Sequence, residues 1–194
     1  MPGSEVKVVD DDGRELPTGE AGELLYRGWN LCKGYWENPQ ETENAFDKDG
    51  WWHSGDLVKI DEKGHLRILG RKKELIIRGG FNVVPSEIEG LLSTHPKILE
   101  VAVVGTPNPV LGESTCVCAV PKTGETLTLL EIRNFLQDKV ATYKVPDELS
   151  IMEDFPRLAS GKVAKFGENG LQSLAKADEK KEKFIDIKYG KKGD

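Results

Sequence analysis

Short runs of apolar residues, separated by turn-forming residues, fill the first third of the chain. They occur at residues 5–9, 24–27, 57–60 and 65–69. In the first run Val6 and Val8 alternate with charged residues before an Asp-rich turn, which indicates a strand that enters a hairpin. Residues 39–46 favour a short helix, with acidic residues near its start. Residues 1–70 are therefore predicted to form a small antiparallel β subdomain.

The pattern changes to mixed α and β after residue 73. Strands are predicted at residues 75–78, 98–106, 114–121 and 149–152. A helix is predicted at 85–94, because its apolar residues recur at helical spacing. Thr128, followed three residues later by Glu131, predicts the capped start of a second helix. The apolar face of that helix comprises Ile132, Phe135, Leu136 and Val140.

These patterns predict an α+β fold. The small antiparallel β subdomain is followed by a mixed α/β C-terminal domain, residues 74–166, with a central sheet flanked by helices. Residues 167–194 form a charged tail, in which lysines alternate with acids over positions 175–183 and apolar anchors are few. The tail is expected to be a solvated helix or a frayed terminus.

Composition excludes several classes of function. A net charge of −6 and a pI near 5.3 argue against a nucleic-acid partner, which needs a basic face. No apolar run is long enough to span a bilayer, and the start lacks a signal-peptide pattern. Three cysteines, Cys32, Cys116 and Cys118, make neither a disulfide framework nor a metal site, and buried free thiols in a cytoplasmic protein are expected. The histidines His53, His65 and His95 show no metal-ligand spacing.

One stretch concentrates charge, strand, glycine and helix signals within residues 70–89. Gly70-Arg71-Lys72-Lys73 precedes a short apolar run, Gly79-Gly80 permits positive φ or a close backbone approach, and Pro85 suits the first turn of a helix. A surface hairpin with solvated lysines is the simplest interpretation of this stretch alone. Lys72 in particular is expected to be solvated.

Further motifs accompany this stretch in the chain. Trp51-Trp52-His53-Ser54-Gly55-Asp56 lies upstream, and Ser160-Gly161-Lys162 lies downstream in a Pro-Arg-Leu-Ala-Ser-Gly-Lys sequence. Together with Gly70-Arg71 and Glu87-Ile88-Glu89, they resemble the adenylate-forming synthetases, which include the acyl- and aryl-CoA ligases, peptide-synthetase adenylation domains and beetle luciferase. The resemblance covers residues 3–165, and four motifs in the family's order are far more specific than any one of them.

The resemblance implies roles for individual residues. Lys162 matches the catalytic lysine, whose point charge offsets repulsion between the acid's carboxylate and the α-phosphate of ATP. Asp56 matches the aspartate that binds both ribose hydroxyls, and Arg71 matches a ribose and phosphate contact. The alternatives are an exposed surface lysine, a turn-forming aspartate and a solvated arginine.

Two further roles are implied next to Arg71. Lys73 matches the hinge residue, within a hinge at 71–73, about which the C-terminal domain rotates between the two half-reactions. Gly79 and Gly80 match the glycines that let the pantetheine arm of coenzyme A pass, although a β-turn alone would also explain Gly80. No metal site is expected in the chain.

Nothing in the chain resembles the family's phosphate loop or its adenine and acyl pockets. Pro2-Gly3-Ser4-Glu5 is typical of the middle of a protein, so Met1 is expected to be a cloning or gene-calling start. The chain is thus expected to be an inactive fragment of an acid–CoA ligase, in which residues 1–70 are the last β subdomain of a large N-terminal domain whose remainder is missing. The complete enzyme would use a fatty or aromatic acid, ATP with Mg²⁺, and coenzyme A. The alternatives are an adenylation module that loads a carrier protein, and a non-catalytic interaction domain.

Overall fold

The computed structural model of the protein describes residues 3–184, and the chain divides into two compact units between Lys73 and Glu74. The first unit is built on one antiparallel sheet whose strands follow one another in sequence order. Its strands are β1 (Ser4–Val9), β2 (Ala21–Gly28), β3 (Trp52–Ile60) and β4 (Leu66–Arg71). Helix α1 (Pro39–Ala45) connects β2 to β3 and is capped by Asn38, whose side chain accepts the Glu41 N–H. The predicted antiparallel subdomain is confirmed.

The second unit contains a mixed sheet flanked by helices, as predicted. Its strands are β5 (Ile76–Arg78), β6 (Phe81–Val83), β7 (Ile98–Asn108), β8 (Gly112–Pro121), β9 (Glu148–Ile151) and β10 (Glu182–Lys183). Its helices are α2 (Pro85–Leu92), α3 (Leu129–Leu136) and α4 (Leu171–Ala177). Strand β8 is central, since it pairs antiparallel with β7 and parallel with β9.

Strand β8 is buried on both faces because its side chains alternate between two cores. Val117 and Ala119 belong to a core that includes the apolar faces of α2 and α3. Cys116 and Cys118 belong to a second core with Leu171 and Ala175 of α4. The two cysteines therefore share one face of the strand, as their alternation predicts, and both are fully buried free thiols. Cys32 is exposed, so the expectation of a buried thiol is wrong there.

Helix α3 begins as predicted and ends earlier than its apolar pattern suggests. The Thr128 side chain accepts the Glu131 N–H at 3.2 Å, which caps the helix. The helix stops at Leu136 because Gln137 leaves the helical region with a ψ of 138°, and Asp138 follows in the left-handed region with a φ of +64°. Val140 therefore lies beyond the helix, although it still packs against the same core.

The expectation of a solvated or frayed tail is wrong for the described part of residues 167–194. Leu171 and Ala175 are fully buried against the sheet. The Lys181 ammonium lies 3.0 Å from the Glu148 carboxylate, and its side chain is only 5% exposed. Strand β10 adds to the sheet beside β9. Two apolar residues one helical turn apart and one buried ion pair are enough to dock this segment; residues 185–194 lie outside the described part of the chain.

Two further observations concern residues 3–184. None of their helices is long and apolar enough to cross a membrane. Within the same residues, no cluster of three or more His, Cys, Asp or Glu side chains is arranged to hold a metal ion.

Candidate active site

Asp56 and Arg71 lie directly opposite each other on β3 and β4. Arg71 Nε is 2.8 Å from Asp56 Oδ1, and the side chains are 52% and 24% exposed, respectively. Arg71 Nη1 also donates to the Ser54 carbonyl at 3.1 Å. The register of one hairpin thus brings together the two residues that the resemblance assigns to the ribose and phosphate. Both remain accessible to a ligand.

The backbone around Asp56 is fixed from the side opposite Arg71. Ser54 is buried, and its hydroxyl donates to the Leu24 carbonyl at 2.7 Å while it accepts the Asp56 N–H at 3.0 Å. Gly55 between them has a φ of +68°, which a side chain would strain. The two hydrogen bonds of Ser54 and the positive φ of Gly55 therefore fix the backbone from which the Asp56 carboxylate projects.

The buried carboxylate of Glu23 contacts both Gly55 and Lys72. Glu23 is 7% exposed; its Oε1 accepts the Gly55 N–H at 3.2 Å, and its Oε2 lies 3.0 Å from the Lys72 ammonium. Lys72 also pairs with Asp11 at 3.1 Å. Burial lowers the pKa of Lys72, but hydrogen bonds to Glu23 and Asp11 outweigh it and raise the pKa above its ordinary value. The expectation that Lys72 is simply solvated is wrong, because it bridges two acids.

Lys73, Gly79 and Gly80 are exposed. Lys73 lies in a short 3-10 helix, Lys72–Glu74, immediately after β4. Gly79 and Gly80 form the turn between β5 and β6, with φ values of +57° and +83°. A side chain at Gly80 would meet no atom within 4 Å, so backbone conformation and not crowding within the described residues explains this glycine. The turn is anchored where the Gly79 N–H donates to the Leu111 carbonyl at 2.8 Å.

Lys162 stands on a narrow, hairpin-like loop of the second unit, residues 156–164. The Ala164 N–H donates to the Pro156 carbonyl, and the Leu158 N–H donates to the Lys162 carbonyl, both at 2.8 Å. Gly161, with a φ of +80°, completes the turn at the tip. Lys162 itself is exposed. The backbone of the loop is held by hydrogen bonds, and the ammonium of Lys162 projects from it on a long side chain.

Both sides of this loop are tied to the body of the second unit. On the first side, one guanidinium nitrogen of Arg157 donates to both carboxylate oxygens of Glu100 at 2.7 Å. On the second side, the Lys165 ammonium lies 2.6 Å from Glu74 and 2.8 Å from Glu89. The sequence does not reveal this role of Lys165, because its partners lie 91 and 76 positions away. Only the acidic residues in the 70–89 stretch hinted at such a partner.

Comparison with known proteins identifies two matching families. Residues 87–162 match the family described as AMP-binding enzyme C-terminal domain, and residues 1–36 match the family described as AMP-binding enzyme. The chain belongs to the adenylate-forming, AMP-binding enzymes. Residues 87–162 correspond to the C-terminal domain of these enzymes.

Named relatives are much longer than this chain. A medium-chain fatty-acid–CoA ligase of Escherichia coli is 44% identical over 166 residues, which cover 84% of this chain and 29% of the relative. A mitochondrial medium-chain acyl-CoA ligase of Danio rerio is 42% identical over 165 residues, covering 84% of this chain and 27% of the relative. The chain thus spans just over a quarter of the length of these curated relatives.

Solved structures show the same fold. ATP-bound MatB from Rhodopseudomonas palustris has a TM-score of 0.80 at 38% identity, over 91% of this chain and 35% of MatB. The o-succinylbenzoate CoA synthetase of Bacillus subtilis, in complex with its acyl-adenylate intermediate, has a TM-score of 0.77 at 31% identity. That alignment covers 84% of this chain and 33% of the synthetase.

Proposed function

We propose that the protein to which this chain belongs is an acid–CoA ligase for medium-chain carboxylic acids. It would activate the acid with ATP as an acyl adenylate and then transfer the acyl group to coenzyme A. The carrying observation is the identity of 42–44% to two ligases named for medium-chain acids, over 84% of this chain. Loading of a carrier protein and a non-catalytic role remain the alternatives, and no contact in the described residues favours either.

In the first step, a carboxylate oxygen of the acid attacks the α-phosphorus of ATP, and pyrophosphate leaves. Two anions must approach each other, so the barrier falls when a cation stands between them. Lys162 is suited to this role, because it is exposed on a loop whose backbone hydrogen bonds fix its origin. A compact ammonium can contact the carboxylate and the phosphate together. We assign Lys162 as the catalytic residue of adenylate formation.

Asp56 and Arg71 would hold the nucleotide. An ionised carboxylate accepts two hydrogen bonds, which suits the two neighbouring hydroxyls of a ribose. The ion pair at 2.8 Å orients both side chains before the ligand arrives, which reduces the entropy lost on binding. Arg71 keeps further N–H donors in its planar fork for ribose or phosphate oxygens.

In the second step, the thiol sulfur of coenzyme A attacks the acyl carbon, and AMP leaves. The pantetheine arm would pass at Gly79 and Gly80, where the absence of side chains leaves room beside the turn. Rotation of the C-terminal domain about Lys73 would exchange the loop of Lys162 for this turn. Mg²⁺ would enter with the ATP phosphates. This chain alone would be inactive, because it has no sequence like the family's phosphate loop. The cytoplasmic location that the sequence led us to expect stays a prediction.

The test uses the protein extended to the length of its relatives. Pyrophosphate release and thioester formation are measured with ATP, coenzyme A and a series of straight-chain acids from butyric to palmitic, together with benzoic acid. The proposal expects a maximum at intermediate chain length, and no pyrophosphate from the 194-residue chain alone. Three results would contradict the proposed function: turnover of benzoic acid alone, loading of a carrier protein in place of coenzyme A, or no pyrophosphate release with any acid.

A further inference from the structure

A three-membered ion cluster lies at the foot of the Lys162 loop. Lys165 Nζ is 2.6 Å from Glu74 Oε2 and 2.8 Å from Glu89 Oε1, and the Lys165 side chain is only 16% exposed. Glu89 lies on α2, and its Oε1 also accepts the Val103 N–H of β7 at 2.7 Å. Glu74 is the first residue of the second unit. One ammonium thus joins the loop, a helix, a strand and the start of the domain.

The charges of the cluster make it dependent on Lys165. Two carboxylates converge on one ammonium, so removing the lysine would leave two acids close together without a cation. Burial lowers the pKa of Lys165, but its hydrogen bonds to Glu74 and Glu89 outweigh this and raise the pKa above the ordinary value. Lys165 is therefore charged at neutral pH, and the cluster holds together as an ion triad.

The backbone transmits this anchor to the loop. Lys165 directly follows Ala164, whose N–H closes the loop on the Pro156 carbonyl at 2.8 Å. The Ala164 and Lys165 carbonyls accept the N–H groups of Leu171 and Gln172 at 2.9 and 3.0 Å. Lys165 lies three positions after Lys162, a span of at most roughly 11 Å. A shift of the Lys165 side chain would therefore move the base from which Lys162 projects.

We propose that Lys165, held by Glu74 and Glu89, is a positioning residue that sets the place of Lys162 for adenylate formation. The inference rests on the proposed function only for the role of Lys162; the loop geometry stands by itself. Lys165 acts through the loop and not on substrate. Because Glu74 follows Lys73, the same cluster fixes the loop to the residue next to the predicted hinge, so rotation would carry loop and domain together.

Half-reactions distinguish positioning from a merely structural role. In the extended protein, Lys165→Met should slow pyrophosphate release by up to about 100-fold, the loss that a misplacement of about 1 Å can cause. Thioester formation from supplied acyl adenylate should be largely unchanged in Lys165→Met. Lys165→Arg should recover most of the rate of pyrophosphate release. Glu74→Gln, which keeps the pair between Lys165 and Glu89, should release pyrophosphate at an intermediate rate. Equal loss in both half-reactions, or no loss in the first, would overturn the proposal.

Lys97→Met is the matched control. Lys97 Nζ pairs with Glu131 Oε1 at 2.8 Å in the same unit, with side chains 34% and 32% exposed, and it donates to the Thr126 carbonyl at 3.4 Å, away from residues 156–164. The Lys97→Met substitution removes one lysine–carboxylate pair and leaves residues 156–164 in place. Both half-reactions should therefore stay close to those of the unsubstituted protein, and a first-step loss equal to that of Lys165→Met would overturn positioning.

A second readout needs no activity and uses the chain as it is. Native-state hydrogen exchange reports the amides of Leu158, Gly161 and Ala164, which make the loop's hydrogen bonds. Exchange at these three amides should accelerate in Lys165→Met, and stay unchanged in Lys165→Arg and Lys97→Met. Unchanged exchange in Lys165→Met would overturn the anchor. If the extended protein proves inactive with every acid, the proposed function fails, and this readout still decides whether Lys165 holds the loop.

Discussion

Asp56 and Arg71 face each other across one antiparallel strand pair, with Arg71 Nε 2.8 Å from Asp56 Oδ1. The pair is partly exposed, and the backbone around Asp56 is held by the buried Ser54 and Glu23. A surface ion pair of this kind adds little to stability, about 0–1 kcal/mol. The stability of the ion pair therefore does not explain why this backbone is held so firmly, whereas the nucleotide-binding role proposed above would explain it.

Asp56→Asn in the extended protein should raise the KM for ATP. Hydrogen bonds to a charged group contribute about 1.5–3 kcal/mol, so the increase should be roughly 10- to 100-fold. The matched control is Glu5→Gln, which breaks another arginine–carboxylate pair of the same sheet, Arg27 Nη2 to Glu5 Oε2 at 2.8 Å. Steady-state kinetics at varied ATP concentration measures both. A similar KM for ATP in the two variants would show that Asp56 only stabilises the local turn and does not bind ATP.

Leu171→Ala should destabilise the second unit, because Leu171 is fully buried in the core that contains Cys116 and Cys118. Loss of a buried leucine costs about 2–5 kcal/mol. Leu174→Ala on the same helix is the control, since Leu174 is 43% exposed and should change stability little. Urea unfolding followed by fluorescence gives the free energies of unfolding.

Thiol labelling checks the same segment independently. In the folded protein, Cys32 should react at once with a thiol reagent, and Cys116 and Cys118 only after opening. Leu171→Ala should speed the slow phase, and Leu174→Ala should not. Equal effects of the two substitutions would mean that α4 does not cover the sheet.

Local signals in the sequence predicted much of this structure. The Thr128 cap and the alternation of Cys116 and Cys118 each depend on residues within a few positions of one another, and both are confirmed. The docking of α4 was missed because its polar surface masks two buried anchors, Leu171 and Ala175. Lys165 was missed for a related reason: a side chain that pairs across 91 positions leaves no periodic trace in the sequence.

His95 should make the stability of the chain depend on pH. The residue is buried, its ring packs edge-on against Phe135, and its Nδ1 accepts the Lys97 N–H at 3.3 Å, which requires an unprotonated nitrogen. Burial lowers the pKa of His95; Glu131 opposes this shift, and the nearby lysines Lys97, Lys139 and Lys122 add to it. Below the ordinary histidine pKa, near 6.5, the unfolded chain binds a proton that the folded chain resists. Stability is therefore present above that pKa and is lost as pH falls through the lower, folded value.

His95→Asn removes this titration while its side-chain oxygen can still accept the Lys97 N–H. The free energy of unfolding should fall less steeply for His95→Asn than for the unsubstituted chain as pH drops from about 7 toward 5. Urea unfolding at a series of pH values makes the comparison, and the difference between the two curves removes the contributions of other groups. Parallel curves would mean that His95 does not titrate differently on folding.

Lys162 is expected to serve adenylate formation and not the transfer to coenzyme A. The decisive measurement separates the half-reactions in Lys162→Ala of the extended protein, with Lys176→Ala, another exposed lysine of the second unit, as control. Pyrophosphate release should fall by about 10²–10³, the loss of a preorganised donor. Thioester formation from supplied acyl adenylate should remain, Lys162→Arg should restore little, and the control should keep both steps. An equal loss of both half-reactions in Lys162→Ala would contradict the account, because it would make Lys162 a structural residue.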